Sequence, residues 1–449
     1  MKRFNKDKYL KKLKIRRWLQ SNSRYLYIGV SCLFVCIIGL YFAYSKFFVK
    51  QEIEVVRTTV GEFTTGDIVL NIYVDNEKVD AAPKKGAGYK FDQISCDNDA
   101  EGTWNSDTWN LLVTKITKKT KCSVYFVKDP LANIIAQLDT SGKCPTVNND
   151  GSVSVTAVEA TNGYLCKAKD AYGDSYYYRG NVTNNYVKFA DKYWRIVRIN
   201  GDGTVRVIYD GTSAHANGES SSDRQIGTSA FNSSSNDNAY VGYMYGATGA
   251  SSYAAAHANT NDSTIKTYID NWYKTNILGT ANEEYLSDNI FCNDRSISSN
   301  KPDSSYNNLG YGTNVTAYRW YYFANSSYNN KMMLTCPQQN DAFTVSDTTN
   351  GNGALTYPIG LLSTDEIVLA GGWNANNSGY YLYSGQYWWA SSPRRFSGSS
   401  AFVRSVRSDG DASNSYHVRL SRGVRPVFNL KAEVLAQGTG TASDPYRLS

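Results

Sequence analysis

Hydrophobic positions follow three patterns along the 449 residues. The first is one unbroken apolar run, residues 25–45 (YLYIGVSCLFVCIIGLYFAYS), which contains no charge. As a helix it would rise about 30 Å, enough to cross a hydrocarbon core. The second is alternation with period two. In DIVLNIYVD, Ile68, Leu70, Ile72 and Val74 alternate with polar neighbours, the mark of a half-buried strand. Residues 89–95, 109–116, 121–127, 186–190, 193–199 and 204–210 predict further strands, as do 387–391, 401–408, 416–421 and 424–430. The third is helical spacing. Ile265, Ile269 and Trp272 predict an amphipathic helix, and residues 282–290 a second. Leu131, Ile134, Ile135 and Leu138 predict a short connecting helix. Ser363 and Glu366 form a capping box ahead of Ile367, Val368 and Leu369.

These patterns divide the chain. Residues 1–24 read as a basic cytoplasmic tail, 25–45 as a transmembrane helix and 46–65 as a stalk. Residues 66–128 read as a small β-sandwich-like domain, 129–142 as a helical linker and 143–449 as an α+β domain, with short helices between an opening and a closing β set. Asn200-Gly201-Asp202-Gly203 is a hairpin turn. Residues 211–262, rich in Ser, Asn, Gly and Ala, read as a surface insertion or partly disordered segment.

Charge sharpens the topology. Ten Lys or Arg lie between Lys2 and Arg24, against Asp7 alone, and the remainder is nearly neutral. That asymmetry predicts a single-pass protein with its N-terminus cytoplasmic and its C-terminus outside. Ala43 and Ser45 have the spacing of a signal-peptidase site, but the apolar run exceeds a usual signal core, so a retained anchor is expected. No basic folded face indicates nucleic acid.

Cys32 and Cys36 lie in the apolar run; Cys96, Cys122, Cys144, Cys166, Cys292 and Cys336 lie beyond it. Six cysteines allow fifteen pairings, and sequential pairing is the simplest, since each pair brackets one turn-rich stretch. Without a C-x-x-C or a nearby His, zinc is not expected.

YVKFADKYWRIVRINGDGTVRVIYDG (186–211), YWWASSP (387–393), GVRPVFNL (423–430) and GTGTASDPYRL (438–448) together resemble a domain of uncharacterised surface proteins from gut Bacillota. That domain is similar to the C-type-lectin-like fold, in particular its formylglycine-generating-enzyme-like branch. The branch includes the variable ligand-binding proteins of diversity-generating retroelements. The resemblance implies the fold and is nearly silent on function, because fold alone does not give function.

Residues 390–424 carry the candidate chemistry. They contain Arg394, Arg395, Arg404, Arg407, Arg419 and Arg422, and no Lys, Glu, Gln, Met or Trp. Editing of adenine-rich codons would produce this restriction, so the segment also reads as a diversified region. Arg and Tyr supply anchors, while Ser, Gly and Asn supply adaptable hydrogen bonds. The expected ligand-binding residues are Trp388, Arg394, Arg395, Phe396, Arg404, Arg407, Asp411, Asn414, Tyr416, His417, Arg419 and Arg422. The expected partner is an extracellular glycan or protein bearing carboxylate, sulfate or phosphate. Solvated polar strands are the plain alternative.

An extracytoplasmic enzyme, a hydrolase or an oxidase, is the competing class. None of the common catalytic motifs occurs, and the three His are isolated. Cys292 and Cys336 would be the oxidase pair, although they lack a matching local motif. No cofactor is expected. Asp409-Gly410-Asp411-Ala412-Ser413 begins like a calcium loop but lacks its turn glycine and closing Glu.

Overall fold

The computed structural model describes residues 64–65, 68–116, 118–156, 162–299, 304–306, 308–323 and 331–448, with a few positions between 11 and 21. The apolar run at 25–45 lies outside the described residues, as do residues 46–63. Among the described residues no helix is long and apolar enough to cross a membrane. The single-pass placement expected from the sequence is corrected on that finding and is not retained. The α+β class is corrected as well: among the described residues strand makes up 34% and helix 15%, a mostly β composition. The chain forms two compact units, divided after Lys128.

The first unit is two layers of β structure. Its strands are β1 (Ile68–Val74), β2 (Glu77–Val79), β3 (Tyr89–Cys96), β4 (Glu101–Asn105), β5 (Asn110–Thr114) and β6 (Thr120–Lys128). β1 runs parallel to β6, and β3 is antiparallel to β6 with Cys96 directly opposite Cys122. The Cys96–Cys122 disulfide closes that rung. The β4–β5 hairpin lays Trp104 and Trp109 against Phe126, with ring centres 5.2 and 5.9 Å away. Thr64–Thr65, expected in a stalk, pairs with β1.

The second unit contains two main sheets. The first is ordered β7 (Gly163–Asp170), β8 (Gly173–Gly180), β10 (Lys192–Ile199), β11 (Val205–Gly211) and β16 (Val427–Leu430), with β9 (Tyr186–Phe189) paired to β10. The Asn200–Gly203 turn closes β10–β11, with Gly203 at φ +82°. The second sheet is ordered β15 (Ser421–Gly423), β12 (Trp388–Phe396), β13 (Ala401–Val406) and β14 (Ser415–His417). Helix α1 (Ala132–Ile135) is a single turn whose Ile134 is buried in this unit's core, so it belongs to the unit rather than linking to it. Helix α2 is Tyr253–Ala256 and helix α3 is Thr264–Asn276. Ser263 caps α3, and Trp272 lies against Trp194, Tyr209 and Phe428. Helix α4 (Thr364–Leu369) carries the capping box of Ser363 and Glu366.

Two expectations fail for physical reasons. Residues 282–290 make only a 3-10 turn at Glu283–Tyr285. Beyond it Leu286 bridges to Leu430 and the Ser287 N–H donates to Asn429, so the sheet draws the segment out of helix. Residues 211–262 are folded. Arg295 donates to Asp341, Met244 and Asn259, tying this stretch to the body of the unit. The small residues here are structural. A Cβ on Gly246 would sit 1.9 Å from the Ala255 carbonyl oxygen.

The interior is unusually rich in arginine. Asp210 accepts from Arg224 at 2.8 Å and Arg425 at 2.9 Å, with Arg195 at 4.0 Å, and all four side chains are fully buried. Carbonyls of Val182, Tyr209, Tyr381 and Leu382 take further guanidinium N–H groups. Burial lowers the Arg425 pKa to about 10, with Asp210 acting against it.

Candidate ligand-binding surface

The second sheet separates the expected residues. Trp388 and Phe396 are buried on the core side, Trp388 beneath the Arg425 guanidinium at 5.1 Å. Arg404 is also buried. It donates to carbonyls of Trp320, Tyr321 and Ser413, tying β13 to the segment 320–321. Burial, and then Arg394 nearby, drives its pKa well down. These three residues are corrected to structural positions: an interior side chain cannot meet a surface ligand.

The predicted strand 416–421 is broken. β14 ends at His417, residues 418–420 turn, and β15 begins at Ser421. The buried Val418 anchors the turn by donating its N–H to the Ala401 carbonyl. Arg419 stands exposed on it. Asp411 and Asn414 shape the preceding loop by accepting the N–H groups of Ser413 and Ser415 at 2.6 and 2.9 Å. Asp409 is engaged by Arg407 at 3.3 Å. The segment that began like a calcium loop is therefore a turn stitched by its own carboxylates.

The remaining residues gather in two clusters. The first depends on register shifts in β12 around Pro393, between Trp389 and Pro393 and between Pro393 and Arg395. A bulge re-aims side chains, so consecutive residues can serve one side of a sheet. Here Arg394 donates to the Ser415 hydroxyl at 3.1 Å, and Arg395 to the Tyr306 hydroxyl at 2.7 Å. Both guanidiniums lie over the Tyr321 ring, at 5.1 and 6.0 Å from its centre. Arg395 also stacks 4.5 Å from Phe402, and His417 packs on the same Phe402 at 4.3 Å. Among the described residues no carboxylate forms an ion pair with Arg394 or Arg395. Burial, and then the Arg395 charge, lowers the Arg394 pKa.

In the second cluster Arg422 lies 4.1 Å from the Tyr416 ring centre and 4.9 Å from that of Tyr387. The two tyrosine rings meet edge-on at 5.7 Å. Hydrogen bonds from Ser408 and Tyr416, and then Arg407, lower the Tyr387 pKa. Tyr416 and His417 are consecutive in β14 and point to opposite faces, so the clusters lie on opposite sides of that strand.

Sequence reasoning missed Tyr306, Tyr321, Tyr387 and Phe402. Tyr306 and Tyr321 come from a region more than 70 residues upstream with no periodic signal. Phe402 was legible, since it alternates with Arg404 in a strand.

All six cysteines beyond the apolar run are paired in sequence order, as Cys96–Cys122, Cys144–Cys166 and Cys292–Cys336. The pair considered for oxidase chemistry is thus a disulfide. Among the described residues no group of His, Cys, Asp and Glu is arranged to hold a metal. His257 is buried against Tyr253 and Tyr318; burial, and then Arg295, pushes its pKa down to about 3, so the ring is neutral. Comparison with protein-family models, with curated proteins and with solved structures returns no match.

Proposed function

We propose that this protein recognises a negatively charged ligand outside the cytoplasm, through the surface centred on Arg394 and Arg395. One observation carries the reading. Two adjacent arginines lie over one shared ring, Tyr321, with Arg395 also over Phe402, and neither pairs with a carboxylate among the described residues. Holding two like charges together and partly out of water is costly. An oxyanion bound between them would offset that cost through charge-assisted hydrogen bonds. Stacking also holds each planar guanidinium ready for such a contact. The three disulfides support an oxidising setting.

The test is a survey of acidic glycans and proteins with the intact chain and its Arg394→Ala/Arg395→Ala variant. Loss of capture with an unchanged unfolding midpoint supports the reading; equal capture overturns it. The diversified-segment idea belongs to the same proposal. A near-repeat of the DNA for 390–424 would then differ at adenines, and its changes would spare the core positions Phe396, Val403 and Val418. A repeat scattered over core and surface alike would contradict it.

A further inference from the structure

We propose that the two arginine clusters are two ends of one track. The track carries a linear acidic glycan, with sulfate or uronate groups, across the outer edge of β14. The inference rests on the recognition reading above and names its ligand class. β14 is the last strand of its sheet, only Ser415–His417 long. Its His417 side chain joins the Arg394–Arg395 cluster through Phe402, and its Tyr416 joins Arg407, Arg422 and Tyr387. Side chains leaving opposite faces of one strand diverge, so the groups packed on Tyr416 and those packed by way of His417 lie on the order of 10 Å apart. A single carboxylate or sulfate cannot reach both clusters, whereas a chain with repeated charges can.

The clusters share one feature, although in the second Arg407 is paired with Asp409 at 3.3 Å. The Nε atoms of Arg394, Arg395, Arg407 and Arg422 are all buried without a hydrogen-bond partner. One outer nitrogen of each is engaged, by Ser415, Tyr306, Asp409 and the Ser421 carbonyl, which leaves the other outer nitrogen of each as the working donor. In three of the four, Arg394, Arg395 and Arg422, the guanidinium lies over tyrosine or phenylalanine rings. Half-buried ring edges beside a cation suit a sugar ring with an acidic substituent.

An acidic peptide fits less well. A peptide adds to a sheet edge through open main-chain groups. On β14 the Ser415 N–H is taken by the Asn414 side chain at 2.9 Å, and the His417 carbonyl by the Leu420 N–H at 3.0 Å. Little of the edge remains for strand addition.

The experiment measures binding of heparin-derived disaccharide and octasaccharide to the full chain over a salt series. Three proteins are compared: wild type, Arg394→Ala/Arg395→Ala and Arg407→Ala/Arg422→Ala. The octasaccharide is expected to bind at least about tenfold more tightly than the disaccharide, and each double variant to lose about tenfold or more of that affinity. The salt slope is expected to fall by about one per arginine removed. Disaccharide binding should survive Arg407→Ala/Arg422→Ala. If only Arg394→Ala/Arg395→Ala weakens the octasaccharide, the track fails and the single-site reading stands. If neither variant matters, both fail. Tighter binding of an oligoglutamate of matched charge would overturn the glycan assignment. Arg407→Lys/Arg422→Lys keeps the charge and the fold. It is expected to retain the salt slope while losing several-fold in affinity, and unchanged affinity would overturn the stacked-guanidinium argument.

Discussion

Replacing Asp210 with Asn removes the one carboxylate among three buried guanidiniums while keeping shape and an acceptor oxygen. Arg224 and Arg425 both bond Oδ1, so an Asn oxygen at that position retains these contacts. Its amide group then faces Arg195, 4.0 Å from the former Oδ2. The change is therefore almost purely electrostatic. At an effective dielectric of about 20, one charge pair about 4 Å apart is worth about 4 kcal/mol. Losing a partner from a buried pair costs about 3–5 kcal/mol. We expect Asp210→Asn to destabilise the second unit by about that amount. Tryptophan fluorescence during urea unfolding reads it, because Trp194, Trp388 and Trp389 are all buried in this unit. Adding Arg425→Met to Asp210→Asn removes one orphaned charge and is expected to recover part of the loss. An unchanged or raised midpoint for Asp210→Asn would show that the backbone carbonyls alone neutralise the cluster, and would refute the argument.

Two further predictions test the rest of the fold. Gly246→Ala forces a methyl against the Ala255 carbonyl. It is expected to cost about 1–3 kcal/mol, and native-like stability would show that residues 211–262 are loosely packed. Glu219 and Asp223 flank His215 at 2.7 and 2.9 Å. The His215 hydrogen bond lowers the Glu219 pKa; for Asp223, burial pulls upward and is outweighed by His215 and Thr212. Both folded values lie below the unfolded ones, so their stabilisation is complete above about pH 4.5 and is lost as pH falls through the lowered values. His215→Gln is expected to flatten the acid-side decline of the urea midpoint, and a profile as steep as wild type would contradict the assignment.

Local chemistry was readable where its cause was local. Period-two alternation found most of the longer strands of both units. The Asn200–Gly203 turn and the Ser363–Glu366 box lie within a few residues of the backbone groups they satisfy. The sequential disulfides followed from proximity along the chain. What escaped depended on distant partners. The parallel β1–β6 pairing joins strands some fifty residues apart, and nothing in either strand specifies direction. Residues 211–262 look unstructured because their order comes from Arg295 and from glycines at close backbone approaches, not from an apolar stripe. Arg404 reads as a surface residue by type, yet it is buried because three carbonyls converge on it. The bulge beside Pro393 decides which arginines face outward, and composition is silent on that.

The most direct test of the recognition proposal is a crystal structure of the intact chain with its tightest-binding acidic ligand. The account predicts an oxyanion within hydrogen-bonding distance of both the Arg394 and Arg395 guanidiniums, bordered by Phe402 and His417. A ligand held elsewhere, with those two arginines untouched, would contradict it.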